Sequence, residues 1–171
     1  MTPITLFTAS CRGDRFNTMY PYRRIVTNPE EMAEAARFDH VFAEYRNGHR
    51  SISDFLRSDC LPFDCDNDHS DAQNEWKTPE NVEKAFPGVP FYVVYSRHHM
   101  LQKGERSQRP RFHVIFPIDP VTDGNVYRKM KEAVLSRFPF FDSGAGDAAR
   151  FFYGVPSPIV KLYGGEANEA E

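Results

Sequence analysis

Two segments rich in β-branched and aromatic residues constrain the fold of this chain most strongly. FYVVYS at 91–96 and RFHVIFPI at 111–118 each have the composition of a β-strand, and a polar, basic insert at 97–110 separates them. This arrangement predicts a β-hairpin with a long tip. Together with the other periodic segments, it predicts an α+β fold with a mostly antiparallel sheet.

The remaining segments divide into strands, helices and loops. Asn28 followed by Pro29 and two glutamates is a strong helix start, and Thr78 followed by Pro79 is a second one. The other predicted elements are strands at 4–10, 60–66 and 149–154, an arginine-rich loop at 11–24, helices at 28–46, 78–86 and 123–137, and a short helix or turn at 51–58.

Length and charge limit the classes of protein that this chain can belong to. The 171 residues are enough for a real core, and they predict one domain at 1–163 followed by an acidic, flexible tail at 164–171. The net charge of −3 excludes a simple polycation that coats nucleic acid, so any phosphate binding requires a local patch. An odd cysteine count, the lack of a signal-like start and the lack of a long apolar run predict a cytoplasmic protein with no membrane contact.

The segment DCDNDHSD at 64–71 crowds four aspartates behind the apolar residues LPF. Residues two apart on a strand share a face, so Asp64 and Asp66 are expected to project together while Phe63 and Cys65 face the core. Carboxylates this close repel one another unless a positive group lies among them, and Mg²⁺ or Mn²⁺ prefers such oxygen ligands. A solvated turn rich in aspartate is the alternative interpretation.

The strand at 111–118 has the same alternation. Phe112, Val114 and Phe116 fall on one side, and Arg111 and His113 fall on the other. If that second side borders the aspartates, the two residues form a cationic clamp of the kind that a triphosphate needs. If it faces solvent, the pair has no special role.

A third group of candidate residues lies in FFDSGAGDAARFFYG at 140–154. Asp142 follows two phenylalanines, and Arg150 lies eight positions later on a predicted strand. Asp142 is also compatible with an ordinary turn, and Asp147 competes with it for any role. A zinc site made of Cys60, Cys65 and His69 is disfavoured, because these spacings fit no common zinc finger.

The order of these motifs resembles the archaeo-eukaryotic primase superfamily. LPFDCDND, RFHVIF and FFD are similar to its first, second and third motifs, and the likeness extends over about residues 3–155. YSRHHM and DAARFFYG further resemble the primase-polymerase domains of phages, plasmids and other mobile elements. The second motif often reads Ser-x-His in that family, whereas Arg111 holds its first position here. The resemblance implies an RRM-like sheet packed with helices and against a second small α/β unit.

The resemblance also implies an activity, which is template-directed joining of nucleoside triphosphates by a DNA primase-polymerase with two Mg²⁺ or Mn²⁺ ions. The expected partners are a single-stranded DNA template and a helicase, in the same chain or in another. By this resemblance, the metal ligands would be Asp64, Asp66 and Asp142, the triphosphate contacts Arg111, His113, Arg150, Ser96 and Arg97, and the nucleic-acid contacts Lys103, Arg106 and Arg109.

Other functions use similar residues. A rolling-circle nickase or relaxase needs two histidines separated by one residue on a strand, and His113-Val114-Ile115 lacks the second one. A metal-dependent nuclease would leave the Arg111 and His113 side unexplained, and a glycosyltransferase usually has a longer nucleotide-binding half before its Asp-x-Asp. A non-catalytic or nicking DNA-binding initiator domain remains the main alternative, and the basic insert is also compatible with a solvated hairpin tip.

Overall fold

The computed structural model describes residues 1–164, and its strands form two antiparallel sheets. The larger sheet has the order β4-β5-β7-β6-β8, and the smaller one has the order β2-β1-β3. The strands are β1 Ile4–Thr8, β2 Tyr22–Val26, β3 His40–Val41, β4 Glu44–Tyr45, β5 Phe55–Cys65, β6 Phe91–Tyr95, β7 Phe112–Val121 and β8 Val160–Tyr163. The α-helices are α1 Pro29–Ala35, α2 Pro79–Ala85 and α3 Gly124–Arg137.

The mixed class with antiparallel pairing is confirmed, and so are the best sequence signals. Strands β6 and β7 form the predicted hairpin, and helices α2 and α3 begin within a residue or two of the predicted positions. Strand β5 begins earlier than expected, because a short 3₁₀ turn at Ile52–Asp54 leads directly into it. The RRM-like arrangement remains a prediction.

The central strands of the larger sheet are buried on both faces, and a hydrophobic core packs against each of these faces. Phe63 and Cys65 of β5 lie with Val114 and Phe116 of β7 in one core, as their alternation predicted. The opposite face packs against the smaller sheet and α1 through a second core, whose members include Leu6, Met32, Cys60, Tyr92 and Ile115. Because β5 and β7 lie at the centre of this arrangement, their side chains are held in fixed positions.

Helix α1 is much shorter than the predicted helix at 28–46. Its start is as expected, because the Asn28 side chain accepts a hydrogen bond from Glu31 N at 2.9 Å and Pro29 is at the first position. The helix ends at Ala35, and the following residues pair with β1 as β3 and with β5 as β4. The pairing of residues 40–45 with neighbouring strands therefore overrides a helical pattern whose apolar stripe was imperfect.

Two further strand assignments differ from the predictions. Part of the predicted loop at 11–24 belongs to β2, whose residues 22–25 are all exposed and therefore show no apolar alternation. The predicted strand at 149–154 is only a single bridge, in which His40 and Phe152 exchange backbone hydrogen bonds of 3.0 and 2.9 Å.

The end of the described chain packs against the sheet. Strand β8 was not predicted from the sequence. It is identified as a strand mainly by its antiparallel pairing with β6, which a local sequence pattern does not show. Gly164 N donates a hydrogen bond to Glu83 at 3.0 Å, and residues 165–171 of the predicted tail lie outside the described residues. Within residues 1–164, no helix has the length and apolar character needed to span a membrane.

Candidate active site

The register of β5 and β7 places Asp64 directly opposite His113. Asp64 Oδ1 lies 3.1 Å from His113 Nε2, and Asp64 Oδ2 accepts a hydrogen bond from Arg150 Nη2 at 2.5 Å. The Asp64 carboxylate is almost fully buried, so these contacts are made in a poorly solvated environment. Burial lowers the pKa of His113 although the neighbouring Asp64 acts to raise it, which favours a neutral imidazole beside the carboxylate.

A cavity of about 480 Å³ opens beside Asp64, His113 and Arg150, and most of the predicted site residues line it. Carboxylates form one part of its wall, and cationic and aromatic side chains form the rest. The predicted residues in its lining are Asp64, Asp66, Ser96, Arg97, Lys103, His113 and Arg150. The lining residues that were not predicted are Arg15, His98, Phe151, Phe152 and Tyr153.

Asp142 lies beside the carboxylates but outside the lining of the cavity. Its backbone N donates a hydrogen bond to Asp64 O at 2.9 Å. Burial, together with the negative charges of Asp66, Asp64 and Asp68, raises the pKa of Asp142 to about 7. The three predicted metal ligands are therefore close enough to sense one another's charge.

The chemistry of these residues fits a hard divalent cation. Carboxylate oxygens are the donors that Mg²⁺ and Mn²⁺ prefer, and the charges of Asp66, Asp64 and Asp68 add to burial in raising the pKa of Asp142. In the present arrangement, however, protein cations contact Asp64 and Asp66, and no group of three or more His, Cys, Asp or Glu residues within 1–164 is arranged to hold a metal ion.

The zinc trio considered from sequence does not come together. Cys60 and Cys65 lie in the two different cores, on opposite faces of β5. His69 Nε2 contacts the backbone oxygen of Glu75 at 2.8 Å.

The basic insert folds over the acidic run and supplies it with cations. Lys103 Nζ lies 3.5 Å from Asp66, Arg106 Nη1 lies 2.9 Å from Asp68, and Arg109 Nη2 lies 2.9 Å from Asp71. The repulsion among the aspartates is thus reduced by side chains of the same protein. This pairing explains how DCDNDHSD is tolerated next to a buried strand.

Two arginines that were predicted to contact nucleotide or nucleic acid, Arg111 and Arg109, are buried and bind other parts of the protein. Arg111 is fully buried, and its Nη1 donates to Asp66 O at 3.0 Å and to Asp68 Oδ1 at 2.8 Å. In place of the predicted nucleic-acid contact, the buried Arg109 donates to Asn67 O and Ser70 O, each at 2.9 Å. Because neither guanidinium is accessible, we assign both to the stability of the turn at 66–71.

A residue that sequence reasoning missed holds two parts of the cavity wall together. The buried Asp39 accepts hydrogen bonds at Oδ1 from Gly13 N and Gly154 N, both at 2.7 Å, and at Oδ2 from Asp14 N at 2.8 Å. It thereby joins the loop after β1 to the segment that carries Arg150. The sequence contained no signal for this role, since Asp39 fell inside the predicted helix.

The aromatic residues at 151–153 complete the wall. The Phe152 ring lies 4.6 Å from the His113 ring and 5.8 Å from the His40 ring, measured between centroids. The Arg97 guanidinium lies 4.0 Å from the centroid of the Tyr153 ring. Such cation–π contacts orient an arginine without neutralising it.

Comparison with known proteins finds no protein-family model and no curated protein that matches this chain. Among solved structures, it is similar to the AEP domain of the primase-polymerase from cyanophage S-2L, with 13% sequence identity and a TM-score of 0.45. The similarity covers 95% of this chain and 80% of that one, and at this level it determines neither the fold nor the function.

Proposed function

We propose that residues 1–163 form a primase-polymerase domain, a nucleotidyltransferase that joins nucleoside triphosphates on a single-stranded DNA template. The observation that carries this proposal is the composition of one cavity, in which Asp64 and Asp66 face Arg97, His113 and Arg150. Carboxylates suited to divalent cations and arginines suited to phosphate oxygens are the two requirements of metal-assisted phosphoryl chemistry. Aromatic side chains in the same wall suit a nucleobase.

Asp64, Asp66 and Asp142 would hold the Mg²⁺ or Mn²⁺ ions. When bound, two such ions lower the pKa of an attacking hydroxyl and neutralise the charge of the leaving pyrophosphate. The largely buried His113 keeps the Asp64 carboxylate in a fixed orientation through its 3.1 Å contact. We assign His113 this positioning role in addition to the predicted contact with nucleotide.

Arg150 is the side chain best suited to bind the triphosphate. Its side chain is 38% exposed although its Nη2 bonds Asp64, and its buried Nε has no hydrogen-bond partner within the described residues. Because the side chain lines the cavity and is more than a third exposed, an anion in the cavity can contact the accessible part of the Arg150 guanidinium. Arg97 and Ser96 lie in the same wall and are further phosphate contacts.

Lys103 and Arg106 remain the candidates in the basic insert for contact with the template. Arg106 is half-exposed, and Lys103 lines the cavity, so both are accessible despite their pairing with aspartates. A helicase that supplies single strands, in the same protein or as a partner, fits this function, as does replication of a phage or other mobile element. Each of these statements rests on the proposed activity.

The test is extension of a labelled primer on single-stranded DNA with Mg²⁺ or Mn²⁺. We expect extension by the wild type and a loss of at least about a hundredfold in the Asp64→Asn/Asp66→Asn variant, because the ligands for the cations are removed. Asp119→Asn is the matched control, since this aspartate is exposed on β7 far along the strand from His113. A wild-type protein that neither extends a primer nor binds a nucleoside triphosphate would contradict the proposal.

A further inference from the structure

The loop after β1 carries an aromatic side chain that is not packed in a hydrophobic core. Phe16 is 78% exposed, the largest exposed fraction among the big hydrophobic side chains in residues 1–164. Exposure of a whole phenyl ring is unfavourable in water, because the hydrophobic stabilisation that its burial would provide is lost. Such a ring next to a polar cavity is a candidate contact for a ligand.

The loop is held in place, so the exposure of Phe16 does not result from a loose backbone. Phe16 N donates to Asp14 Oδ1 at 2.9 Å, and Asn17 N donates to Asp14 O at 3.3 Å. The buried Asp39 fixes the preceding residues, and Arg12 Nε donates to Arg37 O at 2.6 Å. A rigid loop presents its side chains to a ligand at a low entropic cost.

The same loop joins the aromatic ring to the cationic wall of the cavity. The Arg15 guanidinium lies 4.7 Å from the centroid of the Phe16 ring, and Arg15 itself lines the cavity, whereas Phe16 lies outside the lining. Gly13 has a φ of +79°, and a Cβ placed there would lie 3.7 Å from Arg97 Nη1, so the loop runs beside that arginine. Arg15 thus belongs to the cavity wall and also contacts the Phe16 ring.

We propose that this loop, Arg12–Asn17, binds the single-stranded template where it enters the cavity, with one base stacked on Phe16 and a backbone phosphate contacted by Arg15. Alternating aromatic and cationic contacts are how proteins bind single strands without sequence preference. The position of Phe16 outside the cavity favours a template base over the base of the incoming nucleotide. The inference rests on the proposed function for the identity of the ligand.

The test is the affinity for a fluorescein-labelled oligodeoxythymidine, measured by anisotropy in the absence of metal and nucleotide. We expect Phe16→Ala to weaken binding about tenfold and Phe16→Trp to retain it, because stacking accounts for the contact. Arg15→Ala is expected to weaken binding and to reduce the slope of log K against log salt by about 0.7, as expected for one lost phosphate contact. Ile52→Ala, at a side chain that is 65% exposed, is the matched control and leaves binding unchanged.

Binding of a nucleoside triphosphate to the same variants separates the possible ligands. Phe16→Ala is expected to bind the nucleotide as the wild type does. An equal loss of nucleotide affinity would overturn the inference and assign Phe16 to the nucleotide pocket. Oligonucleotide binding that is absent in the wild type, or unchanged in Phe16→Ala, would overturn it as well. A protein that binds oligonucleotide through Phe16 but transfers no nucleotide would support the single-strand-binding role of the loop and contradict the proposed activity.

Discussion

At the scale of single residues, the acidic run shows how burial decides the value of an ion pair. Asp68 is contacted by two arginines, of which Arg111 is fully buried and Arg106 is 52% exposed. The two contacts have nearly equal lengths, 2.8 and 2.9 Å. Their contributions to stability are nevertheless expected to differ, because only the buried one lacks competition from water.

Arg111→Met is expected to lower the free energy of unfolding by about 3 kcal/mol, since it leaves Asp66 O and Asp68 without a buried donor. Arg106→Met removes the exposed contact to the same carboxylate and is expected to cost less than about 1 kcal/mol. Urea denaturation of both variants gives the comparison. Equal losses would show that Arg111 does not hold the turn at 66–71.

His40 makes stability depend on pH. Burial lowers its pKa from 6.5 to about 4, and its Nε2 is buried with no hydrogen-bond partner within the described residues. The unfolded chain therefore binds a proton below pH 6.5 that the folded protein does not bind until about pH 4. His40 therefore does not reduce the free energy of unfolding above pH 6.5, and the free energy of unfolding falls as the pH decreases from 6.5 to 4.

Thermal unfolding from pH 4 to 7 measures this effect, which amounts to as much as about 3 kcal/mol. His40→Gln has no titrating group at this position, so its stability is expected to change less over the same range. Identical pH profiles for the two proteins would contradict the assignment of the effect to His40.

At the scale of elements, the cavity depends on how closely two connecting segments approach each other. A Cβ at Gly154 would lie 2.6 Å from the backbone oxygen of Arg37, so no side chain fits there. Gly154 N also donates to the buried Asp39, which holds the loop that carries Arg15. The wall formed by residues 150–154 is therefore positioned by backbone contacts to the segment that follows α1.

Gly154→Ala is expected to destabilise the protein by about 3 kcal/mol, because the backbone has to move to relieve the overlap. The variant should also bind nucleotide more weakly, since Arg150 lies on the displaced segment. Gly144→Ala is the control, because nothing lies within 4 Å of a Cβ at that position. Unfolding and nucleotide titration measure the two effects, and equal behaviour of both variants would contradict the prediction.

At the scale of the whole molecule, the two cores explain why a rigid polar site is possible. Strands β5 and β7 carry Asp64 and His113 between apolar layers, so neighbours on both sides determine the orientation of these polar groups. The net charge of −3 is compatible with binding of a polyanion, because the cations of the cavity are concentrated on one side of the sheet. Local charge, not the overall charge, determines where phosphates bind.

The strands and helices with strong local signals were predictable from the sequence. Alternation identified the hairpin at 91–118, and proline with a polar cap identified the starts of α1 and α2. Strands β2 and β8 were not predictable, because exposed or weakly patterned residues become strands only when a partner strand is adjacent.

For the candidate site, the sequence by itself determined which side chains share a face: alternation along β5 and β7 separates Asp64 and His113 from the apolar residues around them. Only the tertiary structure decided which cations reach the cavity and which are buried beneath it. Arg150 and Arg111 look equivalent in the sequence, yet one lines the cavity and the other is sealed under the turn at 66–71. The physical reason is that burial and long-range pairing depend on how segments pack, and no local pattern encodes that packing.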